Sequence, residues 1–306
     1  MRVGRSLQPR KLLVAAAVCA TAGLAPAGTA EGGADARRAP SPAPVGDHLV
    51  ARGLAALAQE APPARIAGER RPLSRTAPET GARAELGRDF YFTRAVHSCP
   101  SGYYRRCAWA VDYPKADRQF MYLIGRLLSI LDAYEWENAV RLDDPDLRRY
   151  PFLYTLEVGG MNLNEAEVLG LRSYLEAGGF LVVDDFWGSW EWANFEREIQ
   201  RVLPGRKIVD LPLDHPIFHQ FYDIDELIQV PNVRNGVRGG PTHEGDGLIP
   251  HVRGIFDDDG ELMVVINWNT DLGDAWEWAE NPYYPIEYSN YAYELAVNYI
   301  VYGLTH

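Results

Sequence analysis

The sequence predicts an α/β fold in which helices cover both faces of a mostly parallel sheet, with an antiparallel pair of strands at one edge. First, apolar runs alternate with amphipathic helical patterns along residues 88–306, which is typical of a three-layer sandwich. Second, residues 251–256 and 261–267 flank an Asp-Asp-Asp-Gly turn, and this arrangement predicts a hairpin.

The clearest strand-helix-strand unit lies between residues 152 and 187. Residues 152–158 form an apolar run followed by two glycines, as expected for a buried parallel strand and a tight turn. Asn164 and Glu167 have the spacing of a capping box, so a helix is predicted to begin there and to end at the next glycine pair. Residues 180–183 form a second buried strand.

The remaining elements are predicted from shorter patterns. Apolar residues at three- and four-residue steps indicate helices, and short β-rich runs indicate strands. Strands are predicted at 89–93, 139–142 and 207–210, and helices at 120–131, 192–202 and 292–300. Residues 230–250 are rich in glycine, proline and asparagine, which predicts a long irregular connection.

Residues 1–87 and 88–306 differ sharply in composition. The first segment has no Phe, Tyr or Trp, and 12 Lys and Arg against 7 Asp and Glu. The second holds all eight Trp, with 18 Lys and Arg against 35 Asp and Glu. A segment without aromatic residues cannot bury enough apolar area to offset its chain entropy. One folded domain at 88–306 is therefore predicted, preceded by a disordered linker at 31–87.

Residues 1–30 have the pattern of a secretory signal peptide. Basic residues precede an apolar run from Leu12 to about Ala22, and small residues follow it. The run is too short to span a bilayer. The sequence therefore predicts an exported protein, periplasmic or secreted, with no membrane span after leader removal. An uncleaved N-terminal anchor is the alternative.

Two cysteines, Cys99 and Cys107, remain after the leader. In an oxidising compartment they are candidates for a disulfide, whose short ring is worth ~2.6 kcal/mol in the loop-entropy model. Two free thiols on a loop are the alternative. The adjacent His97 does not complete a zinc site, because two sulfurs and one imidazole leave a tetrahedral ion short of one ligand.

The charge of residues 88–306 restricts the class of partner. The net charge of −17 argues against nucleic acid, because phosphates would be repelled. The glycine pair at 159–160 lacks the spacing and the lysine of a phosphate-binding loop. A small molecule, a glycan or a protein remains as the expected partner.

Four separated motifs resemble the bacterial family known as domain of unknown function 4159. They are Tyr150-Pro-Phe-Leu-Tyr154, the segment 171–185, Asp214-His-Pro-Ile-Phe218 and the segment 267–278. The resemblance covers residues 88–306. This family is similar in turn to the class I glutamine amidotransferase-like fold, including the ThuA-like trehalose-utilisation group. The resemblance implies a flavodoxin-like sheet but brings no established activity.

The chain departs from the amidotransferase pattern at the central strand. An amidotransferase needs a cysteine on the turn after that strand, with a downstream histidine and carboxylate. Here Asp184 and Asp185 occupy the corner, and both remaining cysteines precede the strand. Glutaminase activity is therefore not expected.

Polar side chains that follow the predicted strands are expected to meet at one edge, because ligands bind at the carboxyl ends of parallel strands. The predicted ligand-binding rim consists of Glu157, Trp187, Asn269, Asp271, Asp274 and Trp276. The candidates for catalysis are Asp184, Asp185 and His215. The candidates for a divalent metal site are Asp184, Asp185, Asp271 and Asp274, since carboxylates suit hard cations.

Each candidate has a structural alternative. The Asp184-Asp185 pair could cap the following helix or close a turn. His215 could brace its loop through a backbone hydrogen bond, and tryptophans are more often core or interface residues than ligand platforms. Three functions are compatible with the sequence. One is a non-catalytic module that binds a ligand or partner, without an identified cofactor. The second is a glycan or amide hydrolase, with or without a metal, that uses Asp185 and His215. The third is a structural or interaction module tethered by its flexible tail.

Overall fold

The computed structural model describes residues 87–98, 108–129 and 131–306. The predicted leader at 1–30 and the linker at 31–87, apart from Gly87, lie outside these residues, as do Cys99 and Cys107. Within the described ranges, no helix is long and apolar enough to cross a membrane.

Strands and helices alternate along most of the described chain. The strands are β1 (Thr93–Val96), β2 (Asn138–Arg141), β3 (Phe152–Leu156), β4 (Phe180–Asp184), β5 (Val209–Asp210), β6 (His251–Phe256) and β7 (Leu262–Trp268). The helices are α1 (Lys115–Leu127), α2 (Glu165–Glu176), α3 (Gly188–Val202), α4 (Val233–Arg238), α5 (Leu272–Glu277) and α6 (Ile286–Thr305). Short 3-10 helices lie at Ala108–Ala110, Leu147–Arg149, Val158–Gly160 and Pro216–Phe218.

The strands of the described residues form one sheet in the order β2-β1-β3-β4-β7-β6-β5. Strands β1, β2, β3, β4 and β7 pair in parallel, whereas β6 pairs antiparallel with both β7 and β5. The predicted mostly parallel sheet with an antiparallel edge hairpin is therefore confirmed. Its first strands follow the doubly wound order 2-1-3-4. The carboxyl ends of β1, β3, β4 and β7 consequently share one edge.

Two apolar cores lie on opposite faces of the sheet. Successive side chains of a strand point to opposite faces, so Tyr154 joins one core and Leu153 the other. The core on the Tyr154 face includes residues of α1, α5 and α6. The core on the Leu153 face includes residues of α2 and α3. This arrangement confirms the three-layer sandwich.

The boundaries of several elements differ from the sequence-based expectation. The predicted 89–93 strand contributes only its last residue to β1, while Phe90 forms an isolated bridge to Ala133. The predicted 207–210 strand is reduced to the two residues of β5. Two short helices, α4 and α5, were not predicted. They are only six residues long, too short for helical periodicity to register, and each is capped by the side chain before it.

The predicted capping box at the start of α2 is confirmed. Asn164 Oδ1 accepts a hydrogen bond from Glu167 N at 3.1 Å, and Glu167 Oε2 accepts one from Asn164 N at 2.9 Å. This helix therefore begins where the local sequence predicts. It connects β3 and β4, the two strands whose carboxyl ends contribute to the cavity described next.

Candidate functional site

A cavity of about 290 Å³ opens at the carboxyl edge of the sheet. It is lined by Val111, Asp112, Glu157, Asp185, Trp187, Glu191, Asn232, Glu244, Asp271 and Asp274. Seven of these ten side chains are carboxylates, and none is Lys, Arg or His. The lining of the cavity is therefore strongly acidic.

Sheet topology places the acids that follow the strands. Leu156, the last residue of β3, pairs in register with Asp184 of β4, so the next residues, Glu157 and Asp185, emerge side by side. Asp271 follows β7, the strand on the other side of β4. Parallel pairing of these strands therefore brings the three acids to one edge of the sheet, as the sequence predicted.

Four residues around the cavity have a left-handed backbone. Asp112, Glu157, Asp185 and Asn269 have φ angles of 61°, 53°, 46° and 63°, and they are the residues other than glycine with positive φ in the described part of the chain. Such a backbone costs about 1–3 kcal/mol at each residue and collects at functional sites. The fold therefore accepts local strain to direct these side chains.

Asp112, Asp271 and Asp274 form a compact group of acids. One carboxylate oxygen from each lies within 4.8 Å of the others. Asp271 Oδ1 accepts a hydrogen bond from Asp274 N at 2.7 Å, while Asp274 Oδ1 accepts one from the indole of Trp278 at 3.1 Å. Asp112 differs from both, because its Oδ2 is buried and has no hydrogen-bond partner among the described residues.

Asp184 lies behind the cavity rather than on its wall. Its Oδ2 accepts hydrogen bonds from Tyr154 OH at 2.8 Å and from Gly273 N at 3.1 Å. Its Oδ1 is buried without a partner. Burial raises the pKa of this carboxyl to about 7, although the Tyr154 hydroxyl opposes the shift. A Cβ at Gly273 would come within 3.0 Å of Asp112 Oδ2, so glycine permits this close approach.

Three glutamates, Glu157, Glu191 and Glu244, also line the cavity. Burial, followed by repulsion from Glu191 and Glu244, raises the pKa of Glu157 to about 7. Glu191 Oε2 accepts a hydrogen bond from Trp187 N at 2.6 Å, and Asn232 Nδ2 donates to Glu244. These bonds hold the side chains of Glu191 and Glu244 in place.

Burial and mutual repulsion also act on the cavity aspartates. Burial is the largest cause that raises the pKa of Asp112, Asp185, Asp271 and Asp274. Repulsion adds to it, from Glu157 at Asp185 and from Asp185 at Asp271. A bound cation would reverse these shifts, because opposite charge favours the ionised carboxylate.

A nearby buried cation only partly offsets the charge of the cavity, since Arg94 opposes the rise in the pKa of Asp112 that burial causes. Arg94 is buried, and its guanidinium donates to both oxygens of Asp117. It also donates to Val111 O at 2.8 Å and to Trp109 O at 3.3 Å. Arg94 therefore fixes the backbone that carries Asp112, while its own charge is balanced by Asp117.

The family described as Domain of unknown function (DUF4159) matches residues 102–304. The chain belongs to this family. The match includes every residue that lines the cavity, so the acidic site lies within the DUF4159 domain. No match was found among curated proteins.

Five of the predicted residues lie together in the DUF4159 domain. Glu157, Trp187, Asp185, Asp271 and Asp274 all line the cavity. Trp187 contributes through its indole, whose Nε1 donates to Asp185 Oδ1 at 2.9 Å. It therefore orients an acid of the cavity as well as forming part of the wall.

Two predicted rim residues have structural roles instead. Trp276 is 2% exposed and packs among Phe92, Phe120 and Tyr154, so its assignment to a ligand-binding rim was wrong. Asn269 Oδ1 accepts a hydrogen bond from Gly188 N at 2.8 Å, and its Nδ2 donates to a backbone oxygen at 2.7 Å. Asn269 therefore braces the loops beside the cavity without lining it.

The structure does not bring His215 and Asp185 together. The His215 ring packs against Phe256 and Tyr302, and its Nδ1 accepts a hydrogen bond from Ile217 N at 3.2 Å. Phe256 pairs with the first residue of β7, whereas the cavity lies beyond the last. A seven-residue strand is about 20 Å long, so the histidine lies near the opposite end of the sheet. The prediction that Asp185 and His215 form a catalytic pair was therefore wrong.

Sequence reasoning missed Asp112, Glu191, Asn232 and Glu244. Glu191 could have been predicted, because it lies one helical turn after Trp187, which had been assigned to the ligand-binding rim. Asp112 reaches the cavity from the β1–α1 connection, where no strand ends immediately before it. Asn232 and Glu244 belong to the segment predicted as an irregular connection, whose path no local pattern specifies.

Proposed function

We propose that this DUF4159 domain is an exported, non-catalytic binding module whose acidic cavity takes a compact, positively charged ligand. We also propose that its fold belongs to the ThuA-like group of amidotransferase-like proteins. The single observation that supports the binding role is the lining of the cavity, in which seven of the ten described residues are carboxylates and none is basic.

Physical chemistry favours a cation over the other ligands expected from the sequence. Buried charges need pairing, and these carboxylates have few donors within the protein. An anionic ligand would add to the repulsion, whereas a neutral sugar would leave it unchanged. A volume of about 290 Å³ corresponds to roughly ten water molecules at ~30 Å³ each, which restricts the ligand to a small ion or molecule.

Thermal unfolding of the full chain tests this function. Calcium chloride and putrescine, an organic dication, are compared with sodium phosphate at constant ionic strength. At least one cation is expected to raise the melting temperature saturably, because a ligand that binds only the folded state stabilises it. Phosphate is expected to give no such rise.

Glu157→Gln supplies the matched variant, because it removes one charge from the cavity wall. Binding of the cation should weaken in this variant. Glu261→Gln changes an exposed glutamate of the β6–β7 turn and should bind as the unmodified chain does. Equal shifts with cations and phosphate, or identical behaviour of the two variants, would contradict the proposed function.

A hydrolase is the second candidate, and one observation favours it. Burial raises the pKa of Glu157 to about 7, and Glu157 has no side-chain hydrogen bond in the described structure and lies beside Asp185 in the cavity lining. A general base poised near the working pH has these properties. Turnover of a glycan or amide substrate that disappears in Glu157→Gln, with the fold intact, would favour this function over the binding module.

A further inference from the structure

The group of three aspartates is the feature of the cavity that indicates a particular occupant. Asp112, Asp271 and Asp274 come from three places in the chain: the β1–α1 connection, the residue before α5, and the first turn of α5. Their ligand oxygens lie within 4.8 Å of one another. Acids brought this close repel each other, so a compensating charge would stabilise the arrangement.

A second observation is independent of the clustering. The Oδ2 atom of Asp112 is buried and accepts no hydrogen bond from the described residues, and the same holds for Oδ1 of the neighbouring Asp184. Buried polar atoms almost always have partners, and the exceptions need an explanation such as an ion. A metal ion at the three aspartates would supply the missing partner of Asp112.

The chemistry of the donors selects the class of metal. Among the described residues, the side-chain oxygens that line the cavity belong to carboxylates and one amide, and no thiol or imidazole lies with them. Oxygen donors suit hard cations such as Ca²⁺, Mg²⁺ and Mn²⁺ rather than Zn²⁺ or copper. The structure therefore favours a hard divalent cation.

Coordination flexibility distinguishes among hard cations. With bonds of about 2.4 Å, Ca²⁺ holds oxygens that are at most about 4.8 Å apart, and the three aspartates meet this limit without rearrangement. Ca²⁺ accepts irregular sets of carboxylate oxygens, whereas Mg²⁺ demands near-ideal octahedral geometry and usually keeps several of its waters. Calcium is consequently the better fit to a site built only from carboxylates.

Two of the three aspartates are already held in position. Asp274 is oriented by the Trp278 indole and by Val233 N, whose bond to Oδ2 is 2.6 Å long. Asp271 is oriented by its capping bond to Asp274 N. Each bonded oxygen keeps a second lone pair for a metal. Asp112 is carried on a left-handed backbone that Arg94 secures through the adjacent Val111.

We infer that Asp112, Asp271 and Asp274 bind one Ca²⁺ ion, and that this ion is the first occupant of the cavity. The inference rests on the proposed cation-binding function and specifies its ligand. The remaining coordination positions of the ion are available to water or to oxygen atoms of a second ligand, since Ca²⁺ takes six to eight oxygens.

Terbium luminescence provides the direct experiment. The full chain, freed of metal by a chelator, is titrated with Tb³⁺ as a Ca²⁺ substitute while tryptophan is excited. Trp278 contacts Asp274, so it is placed to sensitise a bound ion. A saturable signal that Ca²⁺ displaces is expected, with weaker displacement by Mg²⁺. Calorimetry with Ca²⁺ alone gives the affinity.

Asp112→Asn is the decisive variant, since it removes a ligand charge without breaking a hydrogen bond of the described structure. Its Ca²⁺ affinity is expected to fall at least tenfold, while its thermal unfolding shows that the fold is retained. Asp259→Asn, an exposed position in the β6–β7 turn, makes the same chemical change outside the cavity and should leave Ca²⁺ binding unchanged.

The outcomes separate this inference from the proposed function. Unchanged Ca²⁺ affinity in Asp112→Asn overturns the aspartate site. Absence of Tb³⁺ and Ca²⁺ binding, together with putrescine binding that Glu157→Gln weakens, overturns the metal and leaves the cation-binding cavity in place. If neither the metals nor putrescine bind, both proposals fail.

Discussion

Buried carboxylates of this domain fall into two groups, and the partners that they meet differ. The acids of the first group lie on α1 and α3, on opposite faces of the sheet, and are paired with basic side chains. Asp117 of α1 is paired with the Arg94 guanidinium, and Glu198 of α3 accepts hydrogen bonds from Leu163 N at 3.0 Å and from Arg201 at 2.7 Å. These acids hold helices and loops together.

In the second group, in and behind the cavity, acids of similar burial form no ion pair with a basic side chain among the described residues. Asp112 Oδ2 and Asp184 Oδ1 have no hydrogen-bond partner in this part of the chain, and Asp271 is repelled by Asp185 and Asp274. A protein normally avoids burying charge in this way, and exceptions to local rules are expected at functional sites. The comparison shows that the absence of a basic partner, and not burial alone, distinguishes the candidate site from Asp117 and Glu198.

Asp117→Asn should have the largest effect on stability. It would leave the Arg94 guanidinium buried without its counter-charge, which costs about 3–5 kcal/mol when a buried pair is broken. Urea denaturation of this variant beside Asp259→Asn measures the difference. If Asp117→Asn lowers the free energy of unfolding no more than the exposed control does, the distinction between the two groups of buried acids is removed.

The free energy of unfolding should depend on pH through the titration of acids in and behind the cavity. Asp184 and Glu157 have pKa values of about 7 in the folded state, so they hold their protons more tightly than in the unfolded state. Their contribution to folding stability is therefore greatest below the unfolded pKa of about 4 and is lost as pH rises towards 7.

A metal-free chain should accordingly melt at a lower temperature at pH 8 than at pH 5.5. The expected loss is on the order of 2 kcal/mol, which corresponds to about 4–8 °C for a domain of this size. Surface acids with lowered pKa, such as Glu137 and Asp143, are already ionised throughout this range. Scanning calorimetry at fixed ionic strength tests the trend, and a melting temperature that rises with pH would contradict it.

Glu198→Gln should have an intermediate effect. The amide oxygen can still accept from Leu163 N, but the charge that strengthens this bond and attracts Arg201 is lost. A loss of about 1–2 kcal/mol is expected, since charge-assisted hydrogen bonds are roughly twice as strong as neutral ones. Comparison with Glu261→Gln in urea measures it, and no difference between the two would assign Glu198 a minor role.

Asp112→Asn should have the smallest effect and the opposite sign. Burial and then repulsion by Asp274 raise the pKa of the Asp112 carboxyl, so removal of its charge should stabilise the metal-free protein at pH 8, by less than the loss expected for Glu198→Gln. Urea denaturation with a chelator present measures this gain. Destabilisation comparable to that of Asp117→Asn would place Asp112 among the structural acids.

Several features of the site could be predicted from the sequence because they follow directly from strand ends. Asp185 comes immediately after an apolar strand, and Asp271 lies close behind another, so parallel pairing brings them to one edge. The capping box at Asn164 and Glu167 was equally readable, since it depends on residues three apart.

Other features depended on the path of the connections. His215 and Asp185 both follow strands in the sequence, but β6 turns back antiparallel and the segment of His215 packs at the other end of the sheet. Trp276 was predicted to be a rim residue, but α5 places its ring in the core. Neither outcome is encoded in a local pattern.

The amino-acid sequence by itself determined the layered α/β fold, the helix start at Asn164 and the acidic character of the strand ends, because hydrophobic periodicity and capping act over a few residues. Only the tertiary structure decided which acids meet. Asp112 joins Asp271 and Asp274 through contacts between segments about 160 residues apart, and whether a buried carboxylate finds a donor depends on those long-range contacts.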